Sequence, residues 1–237
     1  MSCQGKKVII TGGATGYGYG DAKALKAAGA EVWIVGRRLD RLQKAASELG
    51  VKYIQADIGK GDDWDRIFET SGGVDVLINN AGSGVKVEPL TKFSDAEVIQ
   101  SINGNLTGAI LGCRRAAQIM EKQKSGLIIN VSSVCAHYAW PGFACYTAAK
   151  AGLDMFSRAL YTELRPSNIR VTVVTPSWGA TEFGSAASLP PSEAELTKKM
   201  MQPEQMGELI VFLCNYPEHL VFPEIMVQPT VQEIIPL

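Results

Sequence analysis

The segment Thr11-Gly12-Gly13-Ala14-Thr15-Gly16-Tyr17-Gly18 decides the fold that we expect for this chain. A β-branched run at 7–11 precedes it and predicts a strand, and residues 16–28 that follow predict a helix. Glycine lets the backbone turn sharply and approach a phosphate closely. The helix N-terminus adds free N–H groups and a partial positive charge, as in dinucleotide diphosphate sites. A glycine cluster taken alone also fits an ordinary tight turn.

The rest of the chain alternates short apolar runs with longer helical stretches. Further strands are predicted at 31–35, 52–56, 74–79, 126–132, 169–174 and 224–228. Further helices are predicted at 39–49, 62–70, 94 to about 121, 143–164 and 203–215. This alternation predicts βαβ units, and strands without polar alternation predict cover on both faces. We therefore expect an α/β fold: one doubly wound parallel sheet of Rossmann type, with helices on both faces, forming a single domain over residues 1–237.

Composition limits the function classes. The chain has 237 residues, 46% of them hydrophobic, and a formal net charge of -1, without the basic excess of a nucleic-acid-binding surface. Five cysteines without a CxxC pair predict no disulfide framework and no metal site. The N-terminal residues contain no apolar run long enough for a signal core or a membrane span, so we expect a soluble cytoplasmic protein without a membrane partner.

Further motifs follow the glycine turn in a defined order. They are Asn79-Asn80-Ala81-Gly82, Asn105-Leu106-Thr107-Gly108, Ser132-Ser133 and Tyr146-Thr147-Ala148-Ala149-Lys150. Together with the turn, and with thirteen positions from Ser133 to Tyr146, they resemble the short-chain dehydrogenases/reductases. The resemblance covers nearly the whole chain. It implies an oxidoreductase that transfers a hydride between a nicotinamide cofactor and a small or medium carbonyl/alcohol substrate.

The candidate catalytic residues are Asn105, Ser133, Tyr146 and Lys150. Tyr146 and Lys150 are four positions apart on a predicted helix and therefore share a face. A phenol has a pKa near 10, and a neighbouring ammonium is expected to lower it. The Ser133 hydroxyl can hold the substrate oxygen as charge develops. The resemblance implies that Tyr146 exchanges the proton, that Lys150 contacts the nicotinamide ribose and that Asn105 holds a relay water; a simple helix amide is the other interpretation of Asn105.

The resemblance also implies a set of cofactor-binding residues. They are Gly12, Thr15, Gly16, Tyr17, Gly18, Arg37, Arg38, Asp57, Ile58, Asn80, Tyr146, Lys150, Gly179 and Thr181. Asp57 is implied to contact adenine, although a helix cap also fits it, and Thr181 to contact the nicotinamide amide. Two departures affect the nicotinamide side: Tyr17 replaces the usual isoleucine, and Pro176-Ser177-Trp178-Gly179 replaces the usual Pro-Gly.

The end of the second strand indicates NADP rather than NAD. NAD sites place an acid on the ribose 2′-hydroxyl after this strand, and here Gly36 stands at that position. Arg37 and Arg38 follow, and their planar cationic groups suit a 2′-phosphate. Thr15 stands where many NADP-preferring relatives carry a basic residue. The other interpretation is that both arginines begin a solvated helix.

The substrate side is less specific. Val134, Cys135, His137, Tyr138, Trp140 and Phe143 lie between Ser133 and Tyr146, and Trp178 lies near the start of a substrate loop that we place at 175–202. Such aromatics favour an apolar or ring-bearing substrate, but core or oligomer contacts explain them equally well. A small hydroxy acid needs a nearby cation, for which Lys86 is the candidate. Residues 202–230 resemble a subgroup that includes NADP-dependent serine and 3-hydroxy acid dehydrogenases.

The sequence also bears on two other functions. A non-catalytic NADP-binding redox sensor is expected to lose the tyrosine or the lysine, whereas this chain keeps Tyr146 and Lys150. A nucleotide-sugar epimerase or dehydratase needs a larger C-terminal substrate domain than the residues after Pro176 provide. The resemblance further implies a homo-oligomer, dimer or tetramer, in which the Asn105 and Tyr146 helices pack across an interface.

Overall fold

The computed structural model of this chain describes residues 3–82 and 86–233, and its centre is a seven-stranded parallel sheet. The strands are β1 (Lys7–Thr11), β2 (Glu31–Gly36), β3 (Lys52–Gln55), β4 (Val76–Asn79), β5 (Gly126–Val131), β6 (Ile169–Pro176) and β7 (Glu224–Val227). Their order is β3-β2-β1-β4-β5-β6-β7, with every neighbouring pair parallel. The order reverses between β1 and β4, which opens a crevice at the carboxyl ends of these strands.

Helices cover both faces of the sheet. They are α1 (Gly16–Ala27), α2 (Leu39–Leu49), α3 (Gly61–Ser71), α4 (Asp95–Ile102), α5 (Gly108–Gln123), α6 (Ala144–Leu164), α7 (Phe183–Ala186), α8 (Ala194–Lys199) and α9 (Pro203–Asn215). Because side chains alternate along a strand, Ile10 of β1 packs in the core under α1, α2 and α9, whereas Ile9 packs in the core under α3, α5 and α6. The predicted doubly wound α/β fold is confirmed.

The single helix predicted from Ser94 to about residue 121 is wrong in one respect. Ser94 caps α4 in a capping box with Glu97, but a π-helical turn at Asn103–Thr107 separates α4 from α5. A π turn holds one more residue than an α turn, which local helix propensity does not reveal. This turn carries Asn105, whose side chain is buried there.

The remaining elements begin or end within two residues of the predicted bounds. The short helices α7 and α8 were not predicted; both lie in the loop after β6. In the part of the chain that the structure describes, no helix is both long and apolar enough to span a bilayer.

Candidate active site

The glycine turn after β1 forms a cradle lined by backbone. Gly12 and Gly16 have φ angles of +67° and +55°, in the left-handed region that favours glycine. A Cβ on Gly18 would lie 2.5 Å from the Gly12 carbonyl oxygen, so this position also needs glycine. Thr15, the N-cap of α1, makes no side-chain capping bond among the described residues. The first N–H groups of α1 are therefore left for a ligand, and the cradle fits a dinucleotide diphosphate.

Asn80, which directly follows β4, stabilises this turn. Its Nδ2 donates to the carbonyl oxygens of Thr11 and Gly12 at 3.1 and 3.4 Å. The Thr11 hydroxyl accepts from the backbone N–H groups of Asn80 and Ala81 at 3.1 and 3.0 Å. The Asn-Asn-Ala-Gly element thus fixes the shape of the cradle across the β1–β4 crevice.

Three candidate catalytic residues meet at the carboxyl end of β5. Ser133 follows this strand, and its hydroxyl accepts from the Cys135 N–H at 3.2 Å. Tyr146 and Lys150 lie one turn apart on α6, with 8% and 4% of their surfaces exposed. The Lys150 Nζ lies 5.7 Å from the centre of the Tyr146 ring and donates to the Val131 carbonyl oxygen at 2.7 Å.

Burial dominates the electrostatics of these groups. It raises the pKa of Tyr146, with a further rise from Cys135, and a hydrogen-bonding interaction with Ser133 opposes the shift. Burial also lowers the pKa of Lys150 to about 8, against the opposing effects of Asp154 and Cys135. The expected lowering of the Tyr146 pKa is therefore wrong for this structure: burial raises this pKa, and the Lys150 ammonium donates to a backbone carbonyl oxygen.

Asn105 is buried in the π turn between α4 and α5. Only 2% of it is exposed, and its Nδ2 donates to the Ser101 carbonyl oxygen at 2.8 Å. Its Oδ1 faces Gly82, where a Cβ would approach it to 2.8 Å. The π turn therefore directs this side chain toward the Asn-Asn-Ala-Gly element, and its role in a proton relay stays a prediction.

The loop after β6, residues 177–202, closes on the glycine turn. The side chain of Thr181 would contact a Cβ on Gly16 at 3.3 Å. The Tyr17 ring packs on Gly179 so closely that a Cβ there would lie 2.0 Å from its hydroxyl oxygen. That hydroxyl is buried, without a hydrogen-bond partner among the described residues. The structure thus shows where the unusual ring of Tyr17 packs.

Aromatic side chains surround Tyr146. The centre of its ring lies 6.3 Å from that of Phe143 and 5.4 Å from that of Phe183. The sequence motifs do not single out Phe183, although an aromatic residue within the predicted substrate loop is a signal for a substrate contact. Trp178 is 41% exposed near the start of the same loop. The surface facing Tyr146 is therefore largely apolar.

Lys86, the proposed cation for a hydroxy acid, is already neutralised. Its Nζ lies 2.9 Å from the Glu97 carboxylate and 3.5 Å from that of Glu88. The bond to Glu97 raises the pKa of Lys86 despite some desolvation. A substrate carboxylate would have to displace two acidic partners, which argues against this assignment.

At the start of α2, where the adenosine end of a cofactor is expected, predicted arginines lie beside two residues that the sequence does not indicate. Arg37 and Arg38 are exposed at the start of α2. The Glu182 carboxylate of the loop after β6 lies 3.7 Å from Arg38 Nη2 and 2.6 Å from Arg41 Nη1. Arg41 and Glu182 were both missed, because 141 positions separate them and no local pattern links them.

Asp57 and Ile58 lie just beyond β3. The Asp57 Oδ1 accepts from the Gly59 N–H at 3.0 Å, and the N-cap of α3 is Lys60, so Asp57 is not a helix cap. Ile58 packs against α5, where a Cβ on Gly108 would lie 2.9 Å from its Cδ1. The predicted adenine contact of Asp57 stays a prediction.

An ionic cluster lies behind Lys150. The His137 Nε2 is 2.7 Å from the Glu224 Oε1 and 3.3 Å from the Asp154 Oδ2. The second Glu224 oxygen lies 3.0 Å from Arg158 Nη2. His137, Asp154 and Glu224 together can also hold a metal ion, but direct contacts of the imidazole with the two carboxylates account for the same arrangement.

Comparison with known proteins agrees with this geometry. Residues 6–190 match the family described as short chain dehydrogenase. An uncharacterized oxidoreductase of Staphylococcus saprophyticus is 33% identical over 241 residues, 97% of this chain and 98% of that protein. The closed form of serine dehydrogenase complexed with NADP+ is 28% identical, covers 98% of both chains and has a TM-score of 0.89. The 3-ketoacyl-(acyl-carrier-protein) reductase from Brucella melitensis complexed with NADH is 28% identical, covers 97% of this chain and 99% of that one, and has a TM-score of 0.88.

Proposed function

This chain belongs to the short-chain dehydrogenase/reductase family of oxidoreductases, and we propose that it transfers a hydride between NADP(H) and a small or medium carbonyl/alcohol substrate. One observation carries the proposal. Ser133, Tyr146 and Lys150 converge at the carboxyl end of β5. The loop after β6, called the lid below, packs on Tyr146 through Phe183 and contacts the glycine turn through Thr181 and Gly179. A nicotinamide dinucleotide bound there supplies or accepts the hydride.

The residues of the chain handle the proton. In the reducing direction, the buried phenol of Tyr146 keeps its proton at neutral pH, because burial raises its pKa, and can donate it to the substrate oxygen. The Ser133 hydroxyl holds the same oxygen and stabilises its developing charge. Lys150, with a pKa lowered to about 8, can return a proton to Tyr146 once its ammonium leaves the Val131 carbonyl.

NADP is the cofactor that the exposed arginines favour. Gly36, at the end of β2, has no side chain that could accept a hydrogen bond from a ribose hydroxyl. Arg37 and Arg38 follow it with planar guanidinium groups that suit a phosphate. The two solved structures compared above hold NADP+ in one case and NADH in the other, so the preference rests on these side chains. With one or two charge-assisted contacts to the 2′-phosphate, we expect kcat/KM to be higher with NADP than with NAD by on the order of 10²-fold.

The proposal extends to the organisation of the protein. We infer a single dinucleotide-binding domain over residues 1–237, with a substrate loop at 175–202. We also infer a homo-oligomer, dimer or tetramer, that packs through α5 and α6; Met155 on α6 is 65% exposed there. Light scattering after size-exclusion chromatography tests this, and a monomer at micromolar concentration would contradict it.

The test is a substrate screen with both cofactors. Purified protein is incubated with panels of aldehydes, ketones and hydroxy acids, and the absorbance of NADPH or NADH is followed. We expect turnover of an apolar or ring-bearing carbonyl with NADPH, and loss of most of the cofactor preference in the variant that combines Arg37→Ala with Arg38→Ala. Equal kcat/KM with both cofactors, or a preference for NAD, would contradict the assignment. Cofactor binding without turnover of any substrate would instead favour the redox sensor.

A further inference from the structure

Glu182 brings a carboxylate to the arginines at the start of α2. This carboxylate lies 2.6 Å from Arg41 Nη1 and 3.7 Å from Arg38 Nη2. It forms two hydrogen bonds with Arg41, at 2.6 and 2.7 Å. The loop after β6 therefore brings an acid to the residues that follow β2, which itself ends without one.

Glu182 also occupies a central place in that loop. Thr181 before it contacts the glycine turn, and Phe183 after it packs on the ring of Tyr146. The ion pairs therefore connect the lid, which packs on Tyr146, to the end of the site where a 2′-phosphate is expected. A ligand that displaces Glu182 from the arginines removes the ion pairs that hold the lid to α2.

A 2′-phosphate and a carboxylate compete for these cations. Arginine stays protonated, so both anions are attracted to Arg38 and Arg41, but like charges held beside each other repel. The side chains of Arg38, Glu182 and Arg41 are 57%, 54% and 38% exposed, so water and salt moderate both effects. NAD(H), without a 2′-phosphate, leaves the ion pairs in place.

We propose that Glu182 is a specificity-determining residue, which competes with the 2′-phosphate of NADP(H) for Arg38 and Arg41 and so limits the preference for NADP over NAD. The inference rests on the proposed function, because it takes Arg38 as a phosphate ligand. It gives the loop after β6 a part in cofactor choice, in addition to the part proposed for Arg37 and Arg38 after β2.

The test is Glu182→Gln, which removes the charge and keeps the size. Dissociation constants of NADPH and NADH are measured by fluorescence titration at about 10 and about 150 mM salt, independently of turnover. At low salt we expect NADPH to bind about two- to fivefold more tightly, the size of one exposed charge pair, and NADH to bind as before. The gain should shrink at the higher salt concentration. The matched control is Glu193→Gln, which removes another exposed carboxylate of the same loop and should change neither constant.

Two smaller probes isolate the phosphate. Adenosine 2′,5′-bisphosphate should gain affinity in Glu182→Gln, whereas adenosine 5′-monophosphate should not. Unchanged NADPH binding in Glu182→Gln, or equal gains for NADPH and NADH, would overturn the inference. If Arg38→Ala still weakens NADPH binding selectively, the proposed cofactor choice survives that result. If Arg38→Ala changes nothing, this inference and the assignment of Arg38 as a phosphate ligand fail together.

Discussion

Asp21 is a buried acid whose ionisation should make the fold less stable as the pH rises. It lies in α1 with no exposed surface, and neither carboxylate oxygen has a hydrogen-bond partner among the described residues. Desolvation raises its pKa well above the ordinary value. The perturbation is Asp21→Asn, which is nearly isosteric and cannot ionise.

The magnitude follows from proton linkage. The folded protein keeps the Asp21 proton, whereas the unfolded chain releases it above a pH of about 4. The stabilising contribution of the neutral acid is complete below that pH and is lost as the pH rises through the folded-state pKa. The loss amounts to at most about 1.4 kcal/mol per pH unit. We expect Asp21→Asn to match the unmodified protein near pH 4 and to exceed its free energy of unfolding by at least about 1 kcal/mol at pH 7, because the amide does not ionise.

The assay is urea unfolding from pH 4 to pH 8, followed by far-ultraviolet circular dichroism. For a chain of this size the gain corresponds to about 2–4 °C in Tm per kcal/mol. Glu121→Gln, which removes an exposed carboxylate of α5, is the control and should follow the unmodified protein at every pH. A constant difference between Asp21→Asn and the unmodified protein across this range would refute the reasoning, because titration of Asp21 would then not contribute.

Two further outcomes are expected. Gly112→Ala should lower the free energy of unfolding by about 1–3 kcal/mol, because the alanine Cβ would lie 2.4 Å from the buried ring of Trp64. Alanine is the better helix former, so a rise in stability on urea unfolding would contradict this packing. Trp178→Ala should lower kcat/KM for the best carbonyl substrate, since Trp178 lies near the start of the lid; unchanged kcat/KM for every active substrate would remove it from the substrate pocket.

Much of the fold could be predicted because its signals are local. The bounds of β1 and α2 follow from an apolar run and from the glycine that ends the helix, where Gly50 adopts the left-handed conformation. The π turn at Asn103–Thr107 could not be predicted, because its residues continue a helical pattern and differ only in hydrogen bonding. The helices α7 and α8 are too short to show a period.

The site was predictable where a motif carries the chemistry. The spacing of Tyr146 and Lys150 places them on one helical face, as observed. The direction of the Tyr146 pKa shift could not be read from that spacing, because it depends on burial beneath residues such as Phe183. The contact of Glu182 with Arg41 joins the loop after β6 to helix α2, and only the tertiary fold brings them together.

The most direct test of the central claim is the kinetics of Tyr146→Phe with NADPH and the best carbonyl substrate. The variant keeps the ring that packs on Phe143 and Phe183 and loses only the hydroxyl that holds the proton. We expect kcat to fall by about 10³-fold, the usual scale of general acid catalysis, while the Kd of NADPH stays within about twofold. A kcat close to that of the unmodified protein would contradict the assignment of Tyr146 as the proton donor and, with it, the mechanism proposed for this chain.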